Sequence, residues 1–167
     1  MKRLFTIGYE GSTLEDFLAT LDKAGIDVLL DVRELPMSRR KGFSKTALSE
    51  ALSERDIDYR HEKFLGSPKT IRHKLREDGN YKDFFRSFNK HLRKHSEILL
   101  KLAEELGGNV AIMCYEKDHT RCHRITVVDA LSEILELTPV HLEVKYNGSR
   151  KACQKTYMDL SQGLSTA

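Results

Sequence analysis

Long apolar runs are missing from this 167-residue sequence. No stretch approaches the ~18 consecutive apolar residues that a membrane span needs, so no membrane partner is expected. The opening residues, MKRLFTIGYEG, hold only a short apolar piece that enters a strand directly and do not read as a signal peptide. Cysteine occurs three times, an odd number at irregular spacing and with no CxxC pair. That argues against a disulfide framework and for a reducing, cytoplasmic setting. Internal repeats and low-complexity segments are also absent. What is present is a globular composition, 40% hydrophobic and 32% charged, in a chain long enough to bury a sizeable core as one compact domain.

Charge is unevenly spread. The net charge is +3, yet Arg60–Lys101 holds 12 Lys and Arg against 5 Asp and Glu, while the rest holds 16 against 20. A one-sided basic segment points to an anionic partner, a small molecule or a nucleic acid, although a solvated face produces the same pattern.

Periodicity predicts strands alternating with helices. Lys2–Tyr9, Ile26–Val32, the half-exposed Ile57–His61, Val110–Met113 and Val140–Tyr146 read as strands. The apolar core of Ile26–Val32 fits a strand buried on both faces. Ser12 or Thr13 is placed to cap a helix carrying Leu14, Phe17, Leu18 and Leu21, with Glu15 in its first turn and Gly25 at its end. Further helices are expected over Thr46–Arg55, Lys69–Glu77 and Ile125–Leu137. Tyr81–Leu106 reads as one long helix with a core face and a separate basic stripe of Lys82, Arg86, Lys90, Arg93, Lys94 and Lys101. The expected fold is α/β: a single three-layer domain over residues 1–147, with a mostly parallel central sheet flanked by helices. A polar tail, 148–167, follows, with one short helix over Ala152–Leu160.

In a parallel sheet the loops leaving the strand C-termini share one edge. Three such loops are rich in reactive groups: Tyr9–Ser12, Asp31–Lys41 and Cys114–Arg124. Cys114 ends a strand, and Cys122-His123-Arg124 opens a helix, where an anion can bind and a thiolate is stabilised. Either cysteine is a candidate nucleophile; a buried inert thiol fits Cys114 equally. Glu116, Asp31 and Glu10 are candidates for acid/base work, or for ion pairs with arginine. Tyr9, Gly11, Arg33, Ser38, Arg39, Arg121, His123 and Arg124 are candidates for holding an anion, with Arg40 and Lys41 in the same basic loop. Cys114, His119, Cys122 and His123 have the right chemistry for zinc, but their spacing matches no finger or knuckle, so neither a metal nor a cofactor is expected. His91 and His95, four apart on a helix, read as a solvated face.

The phrase LLDVRELP resembles the rhodanese pattern, although rhodanese cysteine loops close on arginine sooner than Cys114 to Arg121 does. A fuller resemblance rests on four ordered motifs: TIGYEGSTLEDFLATL, LLDVRELPMSRRKGFSKTAL, IDYRHEKFLGSP and MCYEKDHTRCHR. From Thr6 to about Leu135 the chain resembles the bacterial and archaeal "domain of unknown function 488" family. The resemblance marks out Gly8, Tyr9, Glu10, Gly11, Asp31, Arg33, Pro36 and Ser38. It also marks Gly42, Phe43, Tyr59, Leu65, Gly66, Cys114, Glu116, Cys122, His123 and Arg124. It carries no firm substrate or cofactor, only a suggestion of nucleotide or nucleic-acid processing. The leading expectation is an enzyme acting on a phosphate-bearing substrate. A non-catalytic nucleic-acid binder using helix 81–106, and rhodanese-like thiol or sulfur chemistry, are the alternatives.

Overall fold

Each buried run becomes a strand and each amphipathic stretch a helix in the computed structural model, which describes residues 2–146. The expected tail helix at Ala152–Leu160 lies outside the described residues. Five strands, β1 (Arg3–Gly8), β2 (Val28–Asp31), β3 (Asp58–His61), β4 (Asn109–Cys114) and β5 (Val140–Leu142), form one sheet in the order β3-β2-β4-β1-β5. Every pairing is parallel, so the sheet is wholly rather than mostly so. The central strands β1, β2 and β4 are buried almost throughout, as near-continuous apolar runs require when both faces are covered.

Alternation along the strands splits the core in two. Phe5 and Ile7 of β1, Leu29 of β2, and Ala111 and Met113 of β4 pack against Phe17 and Leu21 of α1 (Leu14–Ala24) and Leu48 and Leu52 of α2 (Lys45–Ser53). Leu4, Leu30 and Ile112 point the other way. They meet Phe88 and Leu92 of α4 (Tyr81–Arg93), Leu99 and Leu102 of α5 (Ser96–Glu105), and Val127 and Leu131 of α6 (Arg124–Leu135). The result is a three-layer α/β domain. A further helix, α3 (Lys69–Asp78), lies against α4.

The expected strand Val140–Tyr146 shortens to Val140–Leu142, and two further local expectations are resolved. Thr13, not Ser12, caps α1. Its Oγ1 accepts from the Asp16 amide at 3.1 Å and donates to the Asp16 carboxylate at 2.8 Å, so Asp16 rather than Glu15 is the first-turn acid that meets the cap. The segment 81–106 is two helices rather than one. The amides of Lys94 and His95 bond to carbonyls three residues back, on His91 and Leu92, which tightens and ends α4. No glycine or proline marks the break. It is set by tertiary contact: His95 stacks on Phe64 at 5.0 Å, and His91 Nε2 donates to the Phe64 carbonyl at 2.9 Å. The basic stripe is therefore divided between two helices.

The connections set where a ligand can enter. Chain leaving β1 goes to α1 on one face, and chain leaving the adjacent β4 goes to α6 on the other. Neighbouring strands whose exits diverge leave a crevice beyond their C-termini. At its base the β4 exit crosses directly over Gly8. A Cβ built on Gly8 would lie 1.9 Å from the Glu116 carbonyl oxygen, a backbone atom with little room to give. We expect Gly8→Ala to lower unfolding free energy by about 3 kcal/mol, the upper range for overpacking, as a reduced urea midpoint. An unchanged midpoint would mean that the Cys114–Arg124 loop does not need this close crossing.

Candidate functional site

The polar residues at the end of β2 face inward. Asp31 is fully buried and Arg33 is 6% exposed. The Arg33 guanidinium grips the carboxylate through Nη2 at 2.6 Å and Nε at 2.9 Å, and its Nη1 donates to the Tyr9 hydroxyl at 2.9 Å and the Phe43 carbonyl at 2.8 Å. Tyr59 donates its hydroxyl to Asp31 at 2.7 Å, and His61 Nε2 donates to the Arg33 carbonyl at 2.8 Å. Burial works against the Arg33 charge, but Asp31 and Tyr9 more than offset it and hold its pKa above the ordinary value. For the Tyr59 phenol, burial first and the Asp31 carboxylate second push the pKa up. One ion pair thus joins the exits of β1, β2 and β3 to the loop that carries Phe43.

The β4 exit is pinned as firmly. The Tyr9 and Glu10 amides donate to the carbonyls of Cys114 and Tyr115, extending the β1–β4 pairing past the strands. The Glu10 carboxylate accepts from the Lys117 amide at 2.9 Å. Arg124, 1% exposed, reaches back from α6 and donates to the carbonyls of Glu116 and Lys117. Asp31, Glu10, Arg33 and Arg124 therefore spend their charges largely on the protein's own polar groups.

Above this frame lies a cavity of about 510 Å³ at the C-terminal edge of the sheet, and all three expected loops reach it. Tyr9 comes from the β1 exit; Arg33, Ser38, Arg39 and Arg40 from the β2 exit; and Cys114, Glu116 and His123 from the β4 exit. Tyr9 stacks flat on Phe43 at 4.4 Å and meets Tyr115 edge-on at 5.3 Å, which makes an aromatic wall. Arg72 and Arg76 of α3 complete the rim. They do not figure among the sequence-derived candidates, although their i,i+4 spacing on a helix was a signal that they share a face. Arg72 pairs with Glu34 at 2.7 Å. Arg39 and Arg76 are exposed and have no ion pair among the described residues, and the buried Nε of Arg40 has no hydrogen-bond partner among them. Gly11 sits in a turn of positive φ outside the cavity lining, and Arg121 lies over the Tyr81 ring at 4.9 Å, also outside it.

The cavity floor holds the reactive groups. Cys114 Sγ donates to Glu116 Oε2 at 3.2 Å and lies 3.8 Å from His123 Nδ1. Cys122, buried two residues before the start of α6, lies in the same cluster, its donor atom within 4.8 Å of those of Cys114 and His123. Burial alone would raise the Glu116 carboxyl, but its hydrogen bonds and the neighbouring His123 together hold it below the ordinary carboxylate range. Burial and the adjacent Cys114 push the Cys122 thiol well up. Burial opposes a proton on His123, yet Cys122, the Val32 carbonyl and Glu116 together raise its pKa. His119, the fourth group considered from sequence, is elsewhere, stacked on His141 at 3.7 Å. A groove of about 580 Å³ between α1 and β5 is larger, but neither a cysteine nor the aromatic wall lines it.

The model of the family described as "Domain of unknown function DUF488" matches residues 13–131. No curated protein and no solved structure matches the chain.

The buried pair and the exposed pairs predict different costs. Asp31→Asn would strand the Arg33 charge and should cost about 3–5 kcal/mol of stability. Arg60→Ala removes an ion pair with Glu105 whose partners are both about two-fifths exposed, and should cost less than about 1 kcal/mol. Urea denaturation of the two variants measures both; similar losses would show that the Asp31–Arg33 pair does not organise the site.

Proposed function

The chain belongs to the DUF488 family, and we propose that it is an enzyme acting on a phosphate-bearing substrate, a nucleotide or a nucleic-acid end, in the cavity at the sheet edge. The observation that carries this reading is the cavity's lining: five arginines, Arg33, Arg39, Arg40, Arg72 and Arg76, over a floor of Cys114, Glu116 and His123. Guanidinium groups bind phosphate through paired charge-assisted hydrogen bonds. Two of the five, Arg33 and Arg72, are already ion-paired. Arg39, Arg76 and the Nε of Arg40, which has no partner among the described residues, are left as the groups with donors to offer.

The aromatic wall of Tyr9 and Tyr115 suits a base or sugar beside the phosphate. Glu116 is the candidate general base, because its carboxylate lines the cavity while Asp31 and Glu10 are engaged in structural bonds. Cys114 lines the cavity and is the better-placed of the two candidate nucleophiles; Cys122 lies beneath it.

Binding and chemistry can be tested apart. In calorimetric titrations, nucleoside phosphates should bind and unphosphorylated nucleosides should not. Arg39→Ala and Arg76→Ala should each weaken binding by roughly 10- to 100-fold, the worth of one charge-assisted contact. Glu116→Gln should retain phosphate binding and lose turnover of any substrate found. Equal binding of nucleosides and nucleotides, or affinity indifferent to both arginines, would overturn the proposal.

A further inference from the structure

The sequence spacing of Cys114, Cys122 and His123 hides how close they are. In the fold, one donor atom from each of the three lies within 4.8 Å of the others, and all three residues are buried. Two elements bring this about. The loop after β4 folds through a short 3-10 turn, His119–Arg121, and α6 then begins at Arg124, so Cys122 and His123 are carried back beneath the end of β4. Cys114 Sγ stands 3.8 Å from His123 Nδ1 and 3.2 Å from Glu116 Oε2. Zinc–sulfur bonds of about 2.3 Å and zinc–nitrogen or –oxygen bonds of about 2.0 Å separate tetrahedral ligand atoms by roughly 3.5–3.8 Å. The Cys114–His123 separation matches that edge length, the Cys114–Glu116 separation is slightly shorter, and the three donor atoms, within 4.8 Å of one another, need draw together by at most about 1 Å to reach it.

The imidazole is also turned the right way. His123 Nε2 lies 2.8 Å from the Val32 carbonyl oxygen. A carbonyl only accepts, so Nε2 carries a proton, and in its neutral form the ring turns the lone pair of Nδ1 toward Cys114. Such outer-shell bonds fix the tautomer and direction of a metal-binding histidine. The Phe88 ring, edge-on to His123 at 5.1 Å, packs the same imidazole from the side.

We propose that Cys114, Cys122 and His123 bind one divalent cation of the zinc class, with Glu116 as the fourth neighbour on the cavity side. Two sulfurs and one imidazole nitrogen favour such a cation over magnesium or calcium. On binding, each thiol releases its proton to solvent, and two thiolates then balance the two positive charges of the ion. The metal sits at the floor of the arginine-lined cavity, but its binding does not depend on the phosphate reading and is measured without nucleotide.

The test uses the full chain purified under reducing conditions without chelator. Elemental analysis should find one equivalent of zinc-class metal. After stripping, titration with cobalt(II) alone should give sulfur-to-cobalt charge transfer and the intense visible bands of a tetrahedral site. Cys122→Ala and His123→Asn should weaken cobalt binding by about 100-fold or more, and Cys153→Ala should leave it unchanged. Should the cysteine variant fail to fold, the wild-type stoichiometry and spectrum still decide. Absence of stoichiometric metal together with a featureless cobalt titration would overturn the proposal, as would a cobalt spectrum unchanged in both site variants.

Discussion

The ion pair between Asp31 and Arg33 is the constraint on which the site depends. Taking a carboxylate and a guanidinium out of water costs several kcal/mol per ion, and their attraction repays this only with good geometry and satisfied remaining donors. The structure meets both conditions. The carboxylate is held at 2.6 Å and 2.9 Å by the guanidinium and at 2.7 Å by the Tyr59 hydroxyl, while Arg33 also serves the Tyr9 hydroxyl and the Phe43 carbonyl. These partners come from the ends of β1 and β2, from within β3, and from one loop. Satisfying one buried charge therefore fixes the relative positions of Tyr9, Phe43 and the basic loop between them. The Tyr9–Phe43 stack follows from the same contacts.

Arginines divide here by what surrounds them. Arg33 and Arg124, both buried, act as internal ties: one to a carboxylate, the other to two loop carbonyls. Arg39 and Arg76 are exposed at the cavity rim. Arg33, whose donors are bonded within the protein, has little left to give a ligand, and Arg124, whose Nε has no partner among the described residues, is too buried to reach one, whereas rim groups lose little solvation on meeting a ligand. The cationic cavity thus rests on a cationic frame whose charges are spent elsewhere.

This division explains what the sequence did and did not reveal. The layered α/β fold was legible because Leu4–Ile7, Val28–Leu30 and Val110–Met113 are apolar runs separated by amphipathic helices, a pattern with few solutions. The meeting of the three loops followed from parallel strands. The separate tasks of the charged residues did not follow, because Asp31, Glu10, Arg33 and Arg124 at strand and helix ends read alike whether they face a ligand or one another. The break at Lys94 was equally hidden: HLRKHSEI contains no breaker, and the Phe64 that His95 contacts is distant in the chain. Arg72 and Arg76 are not marked by sequence because their helix lies outside the three strand exits, and its packing on α4 brings them to the rim.

The cysteines show how geometry changes the meaning of a spacing. Metal-ligand patterns such as CxxC describe two ligands on one tight turn, and by that measure Cys114 and Cys122 are poorly placed. Here the second half of the ligand set returns from a different element. The approach is possible because the β4 exit is drawn down over Gly8, where the Glu116 carbonyl occupies the space a side chain would need. Arg124 holds that same carbonyl from the α6 side. One glycine and one buried arginine therefore set the height of Glu116 above Cys114, and the residue after Cys122 is the His123 whose ring the Val32 carbonyl orients. The backbone constraints that close the fold at this edge are the ones that gather the sulfurs of Cys114 and Cys122 and the His123 imidazole into a single cluster, with the Glu116 carboxylate beside Cys114.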